Sequence, residues 1–313
     1  MFSLIIPVYK NESGLNALLN AVEELSHKMT SEFEAVFVID GSPDRCYEIL
    51  KETLPQQSFA SQLILLSRNF GSFPAIRAGL EAAKGTLFGV MAADLQEPPS
   101  LILEMEKILS QEAIDVVVAA RLSREDPILT RLPAQLFWGI YRKFIVPEMP
   151  EGGIDVFACN TAFRDQLLLL KESHSSLIAQ IFWLGFKRKV IHYERLAREH
   201  GVSAWTLKKK INYMLDSIFA FTDLPIKLLI GIGGLATGSA FLFGIILILA
   251  KVLGLIAVPG YVMTILIIIF FGSLNLLSFG IIGSYCWRTY ENTKARPLTI
   301  VLNSTTFAKK KDQ

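Results

Sequence analysis

Asp94 and Gln96, in the stretch Val90-Met91-Ala92-Ala93-Asp94-Leu95-Gln96-Glu97-Pro98-Pro99, are the residues best placed to do chemistry. An apolar segment, Thr86 to Met91, precedes them with the composition of a buried strand. Two prolines and an apolar-periodic run, Leu101 to Leu109, follow and read as a helix opening. The pair therefore falls at the carboxyl end of a strand in an αβ pattern, where open parallel sheets hold their ligands. In extended chain, a carboxylate and an amide oxygen two residues apart point the same way. Hard cations such as Mg²⁺ or Mn²⁺ take oxygen ligands, and Mg²⁺ usually arrives with substrate phosphates. On this stretch alone a second reading stands beside the metal site: an Asp that ends a strand and caps the next helix.

The elements that must position this pair are legible on both sides. Ser3 to Tyr9 reads as a first buried strand, and the helix after it carries Leu15, Leu18, Leu19, Val22 and Leu25 on one face. Phe33 to Ile39 is a second strand, closed by Asp40-Gly41-Ser42-Pro43-Asp44, which is turn chemistry with a carboxylate at a strand end. A helix from Cys46 to Leu54, a strand from Gln62 to Leu66 and a helix from about Pro74 to Ala83 follow. Leu87 to Met91 is the fourth strand, and Val116 to Ala120 a fifth ending in Arg121. This alternation predicts a parallel sheet with crossover helices. There is no Gly-rich dinucleotide fingerprint after the first strand and no P-loop, so any nucleotide must be held another way.

Composition narrows the class. A net charge of +2 over 313 residues gives no case for nucleic acid. Cys46, Cys159 and Cys286 show neither a disulfide framework nor metal-ligand spacing, and the four histidines form no metal set. Phe2 to Val8 is too short and lacks the basic flank of a signal peptide. Hydrophobic residues make up 51% of the chain and mean hydropathy is +0.41. Most of that excess lies between Leu228 and Trp287.

Leu228 to Ala250 is 23 residues without a charge, and Tyr261 to Tyr285 a further 25. At 1.5 Å per residue the first is about 35 Å long, enough to cross a hydrocarbon core of about 30 Å. A short link with Gly254, Pro259 and Gly260 makes a hairpin of two spans. Basic residues gather outside the pair, at 208–210, Lys227, Arg288, Lys294, Arg296 and 309–311. The positive-inside rule then puts both termini and the N-terminal domain in the cytoplasm. Segments 132–146 and 205–221 combine apolar and aromatic residues with basic ones and suit a membrane surface. Gly234 and Gly238 permit close helix contact. The expected organisation is an α/β domain over 1–200, an amphipathic segment over 201–225, two spans within 226–287, and a polar basic tail over 288–313.

Pro7-Val8-Tyr9 with Asn11-Glu12, Asp40-Gly41-Ser42-Pro43-Asp44, Arg68-Asn69-Phe70-Gly71, and Asp94-Leu95-Gln96 with Pro98-Pro99 occur in an order that resembles family 2 glycosyltransferases. The branch is similar to the polyprenyl-phosphate sugar synthases, which include the bactoprenol glucosyltransferases and dolichol-phosphate mannose synthases. The resemblance implies a GT-A fold, a nucleotide-sugar donor (UDP-sugar favoured over GDP-mannose), Mg²⁺ or Mn²⁺, and a polyprenyl-phosphate acceptor. It implies a bacterial inner-membrane protein that works as a homo-oligomer, with a tetramer as the family arrangement. By the same resemblance Pro7, Tyr9, Glu12 and Asp40 line the nucleoside pocket, and Asp94 and Gln96 hold the metal. Arg198 and Ser203 bind the donor diphosphate, Arg121 and Arg131 hold the acceptor phosphate, and Asp155 falls at the base position. The metal stretch of the family usually reads Asp-Ala-Asp-Leu-Gln, and this chain has Ala92 at the first place. Charge patterning alone leaves Arg121, Arg124 and Arg131 open between a phosphate clamp and a solvated basic face. The resemblance implies an inverting transferase. Its alternatives are a transferase acting on a lipid-linked glycan or polysaccharide, and a catalytically degenerate membrane protein kept for binding or assembly.

Overall fold

The computed structural model describes residues 1–122, 139, 142, 146–150, 153–173, 175–196, 207–253 and 260–310. Among these residues one sheet of eight strands organises the domain. Its strands are β1 (Phe2–Val8), β2 (Phe33–Ile39), β3 (Ala60–Leu66), β4 (Leu87–Val90), β5 (Val116–Arg121), β6 (Ile154–Asn160), β7 (Arg188–Tyr193) and β8 (Val301–Phe307). The spatial order is β7-β5-β6-β4-β1-β2-β3-β8. β6 runs antiparallel to β4 and β5, β8 runs antiparallel to β3, and the other pairings are parallel.

Side chains alternate across the sheet and build two cores. Phe2, Leu4, Ile6 and Val8 of β1 pack with Leu18 of α1 (Leu15–Lys28), Leu50 of α2 (Cys46–Thr53) and Met105 of α4 (Ser100–Gln111). Ile5 of β1, with Val36 and Val38 of β2, packs the opposite way. Its partners are Leu80 of α3 (Ser72–Ala82), Phe163 of α5 (Thr161–Leu169) and Ile181 of α6 (Leu177–Trp183). Both faces are covered, which is why the strands read as continuous apolar runs.

Beyond the sheet lie α7 (Leu207–Phe221), α8 (Leu224–Val252) and α9 (Tyr261–Thr293). Windows of α8 and α9 are long and apolar enough to cross a membrane, and neither window is buried within the molecule. Large apolar side chains on them face outward, Leu235 at 76% exposure and Leu276 at 74%. Apolar windows that none of the described residues buries suit lipid better than water. Nothing among the described residues lies within 4 Å of a Cβ built on Gly234 or Gly238. The base of α9 is fastened to α7 and the domain. Asp216 pairs with Arg288 at 2.8 Å, the Tyr285 hydroxyl donates to the Thr222 carbonyl at 3.2 Å, and the Ser173 hydroxyl donates to Asn292 at 3.1 Å.

The C-terminal segment corrects one expectation. Residues 288–313 are not simply a polar tail: α9 continues to Thr293, and Val301–Phe307 returns to the sheet as an edge strand. Four polar residues in a row, Asn303 to Thr306, hide it, so the segment reads as a tail until the open edge of β3 supplies its hydrogen bonds.

Candidate active site

The sheet's directions decide which ends meet. β1, β2, β3, β4, β5 and β7 all point the same way, so their carboxyl ends share one edge. The chain winds from β1 outward through β2 to β3, then returns to place β4 on the other side of β1. The β1/β4 boundary is thus a topological switch point, where a crevice opens.

Pro7 marks the opening. β1 pairs with β2 as far as Val8↔Ile39, whereas its pairing with β4 stops at Ile5↔Val90. The Ile5 carbonyl accepts from the Met91 N–H, so the alternate residue, Pro7, would aim a donor at β4 and has none. Past this point Asn11 spans the crevice, donating from Nδ2 to the Ala93 carbonyl at 2.9 Å.

The loops after β1 and β2 are sewn together. The Lys10 N–H donates to the Ser42 hydroxyl at 2.7 Å, and the Ser42 hydroxyl donates to Asp44 at 2.6 Å. The Glu12 N–H donates to Asp44, and the Arg45 N–H donates to the Glu12 carboxylate at 3.0 Å. Burial alone would raise the Asp44 carboxyl. Hydrogen bonds from Ser42 and Cys46 and from the Glu12 and Cys46 amides outweigh it and hold the group below the usual carboxylate range. Burial, with Asp44 beside it, pushes the Cys46 thiol up to about 12, so it is inert as a nucleophile. Tyr9 is half-buried at the end of β1.

Asp40 is buried at the end of β2, and its carboxylate serves the loop after β3. It accepts from the Phe70 N–H at 2.7 Å, the Gly71 N–H at 2.9 Å and Asn69 Nδ2 at 2.9 Å. Gly41 follows with φ of +57°, and a Cβ there would stand 2.2 Å from the Arg68 carbonyl carbon. Only glycine fits both the backbone conformation and this approach.

Asp94 and Gln96 lie at the carboxyl end of β4, but not in extended chain. Leu95 has φ of +52°, and the Gln96 N–H turns back toward Asp94 Oδ1 at 3.4 Å. Asp readily closes such a side-chain turn, and that local bond displaces the strand conformation the spacing suggested. The Gln96 amide oxygen accepts from Arg195 Nη2 at 2.5 Å, its Nε2 donates toward the Leu196 carbonyl at 3.3 Å, and the Leu196 N–H donates to the Gln96 carbonyl at 2.9 Å. Among the described residues no group of three His, Cys, Asp or Glu could hold a metal. The donor set still fits a divalent cation that arrives with a diphosphate: Asp94 would offer one carboxylate oxygen, and substrate and water oxygens would make up the rest. The Gln96 oxygen is taken up by Arg195 in this arrangement.

Arg121 ends β5 on the same edge, paired in register with Tyr193 of β7. β6 runs the other way, so its first residues also start at this edge. Asp155 lies there, at the register shift between the Ala119↔Val156 and Ala120↔Ile154 pairs. Thus Pro7, Tyr9, Glu12, Asp40, Asp94, Gln96, Arg121 and Asp155 gather at one edge. Arg131, Arg198 and Ser203 lie outside the described residues, as do most of 132–146 and all of 201–206.

Arg195 escaped the sequence reading. Its signal was a position two residues past a strand end, but Arg188–Tyr193 mixes basic and apolar residues too evenly to announce a strand.

The glycosyl transferase family 2 profile matches residues 3–169. The chain belongs to glycosyltransferase family 2. The mostly parallel mixed sheet, with its site at the carboxyl edge, is the family's GT-A fold. The likeness to curated relatives extends over the whole chain. A Bacillus subtilis protein named as an uncharacterized glycosyltransferase, YkcC, is 33% identical over 97% of this chain and 94% of its own. The undecaprenyl-phosphate 4-deoxy-4-formamido-L-arabinose transferase of Aeromonas hydrophila is 32% identical over 95% and 91%. An Escherichia coli prophage bactoprenol glucosyl transferase homolog is 30% identical over 96% and 97%. These matches reach through both apolar helices.

Proposed function

We propose that this glycosyltransferase moves a sugar from a nucleoside-diphosphate donor, a UDP-sugar rather than GDP-mannose, to a polyprenyl phosphate at a membrane surface. The observation that carries the reading is the switch-point crevice, with Asp94 at the end of β4 and two unburied apolar helices, of which α9 is tied to the same domain through Ser173 and Asn292. Two relatives bear names of undecaprenyl-phosphate or bactoprenol transfer, which supports the acceptor class.

In this reading β4 divides the edge. The β1–β3 half, with Tyr9, Glu12 and Asp40, receives the nucleoside, and the β5–β6 half, with Arg121 and Asp155, receives the acceptor. Arg131 joins the acceptor side, and Arg198 and Ser203 the donor diphosphate. An acceptor phosphate oxygen attacks the anomeric carbon, the bond from that carbon to the diphosphate oxygen breaks, and the configuration inverts. A phosphate monoester has a second pKa of about 6, so the nucleophile is largely ionised near pH 7. Asp155 therefore orients the acceptor more than it removes a proton. Mg²⁺ or Mn²⁺, when bound, supplies charge that offsets the diphosphate leaving group. Asp94 would hold it.

The helices form a two-span hairpin in a bacterial inner membrane. β8 returns to β3, so the chain before α8 and after α9 lies on the catalytic domain's side. The basic flanks make that side cytoplasmic. The open faces of Gly234 and Gly238 are where a second copy would pack.

Membranes containing the protein, incubated with labelled nucleotide sugars, polyprenyl phosphate and Mg²⁺, are expected to yield a labelled, lipid-extractable product. Label that enters polymer alone would overturn the acceptor assignment. Donor binding with no transfer to any acceptor would favour the degenerate reading that Ala92 raises.

A further inference from the structure

Arg195 donates to the oxygen that the resemblance gives to a metal ion. Its guanidinium sits on the Gln96 amide oxygen, one residue past Leu95 and beside Asp94 at the switch point. A guanidinium and a divalent ion on one amide oxygen repel each other, so each weakens the other's hold there. The partner that Arg195 has here is also weak. It is a neutral amide, whereas a diphosphate offers charged oxygens that match the guanidinium fork. Arg195 is exposed, so leaving Gln96 strips it from no buried pocket. The acidic side of the site is thin: residue 92 is alanine, and no three-group cluster stands near Asp94 among the described residues.

We propose that Arg195 is a ligand of the donor diphosphate, held ready on Gln96, and that its charge lets this protein retain a nucleoside diphosphate when divalent cation is withdrawn. The inference rests on the donor reading above and extends it. Gln96 is then a resting acceptor for Arg195 before it is a metal ligand. When the diphosphate arrives, Arg195 moves onto it and the amide oxygen is released.

The test is calorimetric titration of UDP and GDP into the full-length protein in detergent, with Mg²⁺ or with excess EDTA. The wild type is expected to lose no more than about tenfold in affinity when Mg²⁺ is removed. Arg195→Ala should lose on the order of ten- to a hundredfold in EDTA, the usual scale for one charge-assisted contact. Arg195→Lys should recover part of it, since the charge returns without the fork. Titration of uridine beside UDP separates a ligand from a brace. If Arg195 touches the diphosphate, the loss in Arg195→Ala is confined to UDP; if Arg195 merely braces the loop through Gln96, uridine and UDP affinities fall together and the proposal fails. Binding that ignores residue 195 in EDTA also overturns it. A wild type that binds neither nucleotide even with Mg²⁺ would overturn the donor reading itself, and this inference with it.

Discussion

Asp40→Asn puts two assignments of one carboxylate against each other. The resemblance makes Asp40 a nucleoside ligand, while the structure gives its oxygens to the Phe70 and Gly71 amides and to Asn69. Asn keeps one acceptor oxygen, which can still serve Phe70. Its Nδ2 then faces the Gly71 N–H and Asn69 Nδ2, donor against donor. The two charge-assisted bonds to that oxygen are lost, at ~1.5–3 kcal/mol each, which puts the low end of the cost at about 3 kcal/mol. Asp40 is 2% exposed, so water cannot make up the difference. A cost of about 3 kcal/mol corresponds to roughly a hundredfold at 1.4 kcal/mol per decade. Local exchange of the Phe70 and Gly71 amides, measured on the full chain without nucleotide, should speed up by that factor while β1 and β2 amides keep their protection. Exchange within about threefold of wild type, alongside a large loss of nucleotide affinity, would refute the bracing role and restore Asp40 as a ligand.

Asp94→Asn should cut turnover by orders of magnitude with the fold intact, because the carboxylate that would hold the cation is gone; near-normal transfer by a folded variant would end the metal assignment. Asp44 has a lowered folded-state pKa, so its share of stability is present above the unfolded value of about 4 and is lost as pH falls through the folded value. Acid unfolding followed by fluorescence should show Asp44→Asn less stable than wild type at pH 7, with the gap closing below about pH 4; a constant gap would mean the hydrogen bonds do not depend on the charge. Reporters fused at Met1 and after Gln313 should appear on the same side of the membrane, since β8 is paired to β3, and opposite sides would mean that α8 or α9 does not span.

The sequence by itself determined the parts that depend on local composition. Apolar runs of strand length placed β1 to β5 to within two residues, because buried parallel strands cannot be anything but apolar on both faces. The uncharged runs from Leu228 and Tyr261 placed α8 and α9, because more than 20 mostly apolar residues in a row without a charge favour one long helix. Asp94 at a strand end followed from the same pattern. The rest waited on partners distant in the chain. β8 is a strand because β3 leaves an edge open 235 positions away, counting Val301 against Leu66. Asp155 reaches the carboxyl edge because β6 runs backward between β4 and β5, and periodicity carries no direction. Asp40 braces the loop after β3 because that loop brings three donors to it. Arg195 met Gln96 because β7 docks beside β5. Strand propensity is written in each segment, but which edge a strand joins and which side chains then meet are decided by long-range pairing, where hydrogen bonds and burial are satisfied together.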